Sequence, residues 1–160
     1  MKRRVIKVLV VILLTVSGCA LLVDQLLLDE YDVLEYNWKI DLPKANKVTD
    51  LIAPEASFLG DGELMTLFEY SKPIDLSNTV FTKLSSSEIT NADSKIEHFK
   101  HKTNEVNQHS AAIKDIFIQY DVEATSGDYF YYDEENNGYD FIILLYKTEL
   151  QQLYLYEWHQ

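Results

Sequence analysis

Hydrophobic positions follow several different periods along this 160-residue chain, and each period predicts an element. After Lys2, Arg3, Arg4 and Lys7, an uncharged apolar run extends from Val8 to Val23. Leu26, Leu27, Tyr31, Leu34 and Trp38 then recur at helical spacing, which predicts a continuation of that segment or a short helix before Pro43. Lys47 to Ala53 and Glu63 to Ser71 read as two strands joined around Gly60-Asp61-Gly62. Leu64, Thr66, Phe68 and Tyr70 share one face of the second strand, and Met65 and Leu67 the other. Lys72 to Asn91, with Pro73 and Ser85-Ser86-Ser87, reads as an irregular connection. Ser94 and Glu97 have the spacing of a capping box, and Ile96, Phe99, Thr103, Val106, Ser110 and Ile113 form a helical stripe behind it. From Ile116 the period changes to two through Ile118, Tyr120 and Val122, predicting a strand. Three more strands are expected near Asp128 to Tyr132, Tyr139 to Thr148 and Gln151 to Trp158. Asn137-Gly138 supplies a hairpin turn between the first two, because both residues tolerate positive φ. Phe141 to Tyr146 is apolar throughout, as befits a central strand covered on both faces.

These elements predict an α+β domain: an antiparallel sheet of about five or six strands with one main amphipathic helix packed on it, behind an N-terminal membrane anchor. The corresponding divisions are 1–23 for the anchor, 24–46 for a short tether or helix, and 47–160 for the folded domain. The anchor has two readings. Val16-Ser17-Gly18-Cys19 has the form of a lipobox, the small-residue site at which a signal peptide is cleaved and the cysteine lipidated. Alternatively the apolar run continues through Ala20, Leu21, Leu22 and Val23 to the length of a single transmembrane helix. Either reading leaves the Lys and Arg residues inside and places the domain on the extracytoplasmic side of the cell membrane.

Charge sharpens this division. The first 23 residues hold four of the 14 basic residues and none of the 26 acidic ones, so the remainder carries a net charge of −16. Such a domain repels phosphate backbones, and nucleic acid is not an expected partner. The lone Cys19 rules out an intrachain disulfide, and the sequence calls for no cofactor.

Four constellations are candidates for chemistry. His98, His101, Glu105 and His109 fall on one helical stripe roughly opposite the apolar one, where steps of three and four could gather metal ligands. The duller reading is a solvated helix face. Asp133-Glu134-Glu135-Asn136-Asn137-Gly138-Tyr139-Asp140 matches the first half of a calcium loop, but Leu144 stands where the closing Glu should be, which favours a plain hairpin. Tyr154, Tyr156 and Trp158 alternate onto one face and could grip a partner, or pack under the helix. For catalysis there is no Gly-x-Ser-x-Gly, no phosphate-cradling glycine loop and no His pair around Glu, so no catalytic residues are assigned.

Leu42-Pro43-Lys44 after an anchor, Phe58-Leu59-Gly60-Asp61-Gly62-Glu63 opening a strand, Tyr129-Phe130 before a hairpin and Leu153-Tyr154-Leu155-Tyr156-Glu157 near the end resemble a family of small, uncharacterised, membrane-anchored, lipoprotein-like proteins of Gram-positive bacteria. That resemblance implies an envelope location and a compact α+β fold, and no catalytic residues. The expectation is therefore a non-enzymatic, membrane-tethered binding or accessory protein with a protein partner. The alternative is a small envelope metal-binding protein or enzyme using the His98, His101, Glu105 and His109 face.

Overall fold

The computed structural model describes residues 29–53, 62–108 and 110–160. The chain divides into two compact units, with the boundary in sequence between Leu42 and Pro43. The anchor expected over 1–23, with Cys19, and the Gly60-Asp61 part of the expected first turn lie outside the described residues, as does His109. Among the described residues no helix is long and apolar enough to cross a membrane.

The first unit contains α1 (Glu30–Trp38). Asp29 caps it by accepting from the Tyr31 and Asp32 amides at 3.0 and 2.9 Å, and the Asp32 carboxylate accepts the Asp29 amide at 3.1 Å. This reciprocal capping box satisfies amides that have no partner inside the helix. Lys39 ends the helix in the left-handed region, at φ 57° and ψ 33°. The expected helical segment from Asp24 is thus seen from Glu30 onward.

The second unit is the α+β domain. Its strands are β1 (Lys47–Ile52), β2 (Gly62–Glu69), β3 (Thr82–Lys83), β4 (Tyr129–Glu135), β5 (Asp140–Lys147) and β6 (Gln152–His159). They form one six-stranded sheet in the order β1-β2-β6-β5-β4-β3, and every neighbouring pair is antiparallel. α2 (Ile89–Val106) and α3 (Ala111–Gln119) separate β3 from β4 in sequence. β5 is central, and Phe141 to Tyr146 are all buried. Asn137 (φ 59°) and Gly138 (φ 82°) take the left-handed positions of the β4–β5 turn, with Asn136 (φ 51°) beside them.

The core lies between one sheet face and the helices. Met65 and Leu67 of β2, Ile143 and Leu145 of β5, and Tyr154, Tyr156 and Trp158 of β6 meet Ala92, Ile96 and Phe99 of α2 and Phe117 of α3. The Phe99 ring stands edge-on to Tyr156 at 5.2 Å and to Phe117 at 6.3 Å. On the opposite face Tyr146 is buried, and its hydroxyl accepts the Ile74 amide at 3.2 Å.

Three sequence expectations require correction. α2 begins at Ile89, so Ser94 and Glu97 sit inside the helix and do not cap it. The start is set upstream, where the Glu88 carboxylate accepts from the Ser85 amide at 2.9 Å and the Ser85 hydroxyl at 2.6 Å. The predicted stripe also breaks: Val106 is exposed, and α2 stops there, so Ile113 belongs to a second helix. Finally, Ile116 to Gln119 is helical and not a strand, with Tyr120 as its C-cap. Ile113, Ile116, Phe117 and Tyr120 are spaced for one helix face and pack toward the core, while Ile118 is 76% exposed. A period of two and a period of 3.6 share many positions over so short a run, and burial chose the latter. Two helices, not one, therefore cover the sheet, and the sixth strand is the two-residue β3 within the supposed irregular connection.

Candidate functional site

A cleft of about 250 Å³ opens between α2 and the connection that leads from α3 to β4. Asp93, Glu97 and Lys100 reach it from α2, and Asp121 and Glu123 from the connection, with Ile96 and Val122 at its apolar floor. The i, i+3, i+4, i+7 spacing of Asp93, Ile96, Glu97 and Lys100 explains the placement: all four fall along one side of the helix, with Ile96 turned to the core.

Lys100 bridges the cleft. Its ammonium donates to Glu97 Oε1 and Asp121 Oδ1, each at 2.8 Å, and its side chain is only 12% exposed. Burial pulls the Lys100 pKa down, but hydrogen bonding and attraction from Asp121 and Glu97 outweigh it, and the net shift is upward. The amine is therefore held protonated and offers a charge, not the lone pair a nucleophile or base requires.

The far wall is fixed by two hydrogen bonds. Asp93 Oδ1 accepts the Ala124 amide at 2.8 Å, and the Lys147 ammonium donates to the Glu123 carbonyl at 2.7 Å. Lys147 is itself held by Asp128 in a buried ion pair, with Thr125 Oγ1 accepting at 3.0 Å. Burial raises the Asp128 pKa, yet hydrogen bonds from Lys147, Thr125 and Thr148 bring it below the usual carboxylate value. With four carboxylates against one ammonium, the cleft is suited to positively charged groups.

The residues singled out from sequence are distributed differently. Tyr154, Tyr156 and Trp158 do share a face, but they are 5%, 0% and 3% exposed beneath the helices. The packing reading is the one the structure shows, since a partner cannot reach interior rings. His101 pairs with Glu105 at 3.3 Å, whereas His98 lies against Phe141 with ring centroids 5.6 Å apart. Among the described residues no three His, Cys, Asp or Glu side chains come together to hold a metal ion, and His109 lies outside them. The loop from Asp133 to Asp140 is a hairpin turn. Its Asp140 is engaged by the Gln160 amide at 3.0 Å and by Asn136.

Sequence reasoning missed Asp93, Lys100, Asp121, Glu123, Asp128 and Lys147 as members of a site. One signal was available: Lys147 directly follows the apolar run Phe141 to Tyr146, and a lysine in such a place needs a carboxylate partner. Comparison of the chain with protein-family models, with curated proteins and with solved structures finds no match.

Proposed function

We propose that this chain is a membrane-tethered, extracytoplasmic binding or accessory protein whose acidic cleft takes lysine or arginine side chains of a protein partner. One observation carries the reading: Asp93, Glu97, Asp121 and Glu123 line a formed cleft in which, among the described residues, Lys100 is the single basic side chain. The tether is supported by the basic start, the apolar run from Val8 to Val23 and the lipobox-like Val16-Ser17-Gly18-Cys19. The anchor is then either a lipid on Cys19 or a helix running to Val23. The net charge of −16 beyond residue 23 draws a basic partner toward the domain and repels nucleic acid.

The test is a titration of the full-length protein in detergent micelles with a fluorescent oligolysine peptide. Binding should weaken as salt rises. Replacing Glu97 by Gln and Asp121 by Asn together should weaken it by about tenfold, the equivalent of roughly 1.4 kcal/mol. Equal affinity of the wild type and this variant would remove the cleft as the binding site.

A further inference from the structure

β4 carries a main-chain edge that β3 pairs only in part. It is seven residues long, but β3 pairs only with its first two, through Thr82 to Phe130 and Lys83 to Tyr129. From Tyr131 to Glu135 no strand lies on the outer side among the described residues. The Leu84 amide donates to the Asp128 carbonyl at 2.8 Å, so the even-numbered residues of this stretch turn their main-chain groups toward the β3 side. By that alternation Tyr132 and Glu134 point theirs past the end of β3. The Glu134 amide is taken by Asp133 Oδ1 at 2.9 Å. The opposite sheet edge is less suited to an incoming strand, because β1 carries a bulge between Asp50 and Ile52.

We propose that this β4 edge is a strand-addition site for an extended segment bearing alternating lysine or arginine residues, which would continue the line of β3. The proposal rests on the reading that the domain binds a basic protein partner, and it names a second surface for that partner. Charge decides the occupant. Asp133, Glu134 and Glu135 are consecutive and exposed. The Tyr131 hydroxyl donates to Asp133 at 3.0 Å and the Tyr132 hydroxyl to Glu134, so two of these carboxylates are set in place before a partner arrives. A second copy of the same edge would set carboxylate against carboxylate, which opposes self-pairing. A basic strand brings opposite charges into cross-strand register while its amide and carbonyl groups complete the ladder.

Three labelled peptides of equal length distinguish the outcomes on the full-length protein in micelles: alternating lysine and valine, alternating glutamate and valine, and alternating lysine and proline. The lysine–valine peptide should bind about tenfold more tightly than the lysine–proline peptide, which carries the same charge but lacks every second amide and is held by proline at a φ of about −65°, away from strand geometry. It should also slow hydrogen exchange at the Tyr132 amide. Replacing Asp133 and Glu135 by Lys should transfer the preference to the glutamate–valine peptide. Both positions are exposed, so the fold should persist, and circular dichroism checks this. Equal binding of the two lysine peptides overturns the proposal. So does lysine–valine binding that is abolished by Glu97→Gln with Asp121→Asn and unmoved by the edge variant, an outcome that leaves the acidic cleft standing. If neither lysine peptide binds, the cleft reading falls as well.

Discussion

Asp128→Ala should destabilise the domain by about 3 kcal/mol, through the ion pair that fixes the cleft wall. In the native protein Asp128 accepts from the Thr125 amide at 2.8 Å, the Thr125 hydroxyl at 2.7 Å and the Thr148 amide at 3.1 Å, besides the Lys147 ammonium. The two charged side chains are 3% and 10% exposed. Removing one member of a buried pair costs about 3 to 5 kcal/mol, because the other charge is left without its counter-ion in a low-dielectric place. Lys147 keeps the Glu123 carbonyl and Thr125 Oγ1 as acceptors, and the Thr125 and Thr148 amides can turn to water, so the lower end applies. For a domain of this size the loss corresponds to a fall in Tm of roughly 10 °C. Urea unfolding followed by circular dichroism at neutral pH measures it, with the slope on urea unchanged. A double variant, Asp128→Asn with Lys147→Met, should lose less than the sum of the two single changes. Acid supplies a second check. The Asp128 pKa is lowered in the folded state, so its contribution is complete above the unfolded carboxyl value and is lost as pH falls through the folded value. That part of the acid sensitivity should be missing from Asp128→Ala. A loss below about 1 kcal/mol would refute the reasoning, since it would mean that Lys147 is solvated without its partner.

The Tyr156 hydroxyl is wholly buried and has no hydrogen-bond partner among the described residues. Tyr156→Phe should therefore leave stability unchanged or raise it by up to about 1 kcal/mol, read as a Tm that does not fall. Ile118→Ser should be nearly silent in thermal unfolding because Ile118 faces solvent, whereas Phe117→Ala should cost about 3 kcal/mol. The His98 pKa is lowered by burial first, and then by Lys102, Lys95 and His101. Its sign follows from linkage: the unfolded chain takes up the proton more readily, so stability falls as pH drops from the unfolded value of 6.5 through the lowered folded value. His98→Gln should flatten the Tm-against-pH curve over that range.

Much of the sheet was legible because its signals were redundant. Alternation in β2 and β6 agreed with length and turn chemistry, and Asn137-Gly138 marked the β4–β5 hairpin. The second helix was not legible, because Ile113, Ile116, Phe117 and Tyr120 satisfy a helical stripe while Ile116, Ile118, Tyr120 and Val122 satisfy a strand. Only the 76% exposure of Ile118 separates the two. The start of α2 was misplaced because Ser94-x-x-Glu97 imitates a capping box, while the turn that opens the helix uses Ser85 and Glu88. The cleft depends on Asp121 and Glu97, 24 positions apart, meeting at one ammonium. No period in the sequence encodes such a meeting. Tyr154, Tyr156 and Trp158 were correctly placed on one face, and the helices decide that this face is interior.

Adding a protease to intact protoplasts and then determining the intact mass of the chain retained by the membrane tests the central claim most directly. A tethered extracytoplasmic domain should lose Pro43 to Gln160 to the protease, while a short N-terminal fragment stays with the membrane. A fragment beginning at a lipidated Cys19 would identify a lipid anchor, and one beginning at Met1 a transmembrane helix. A full-length chain that survives protease, or an unmodified chain found only in the soluble fraction, would rule out a tethered extracytoplasmic domain.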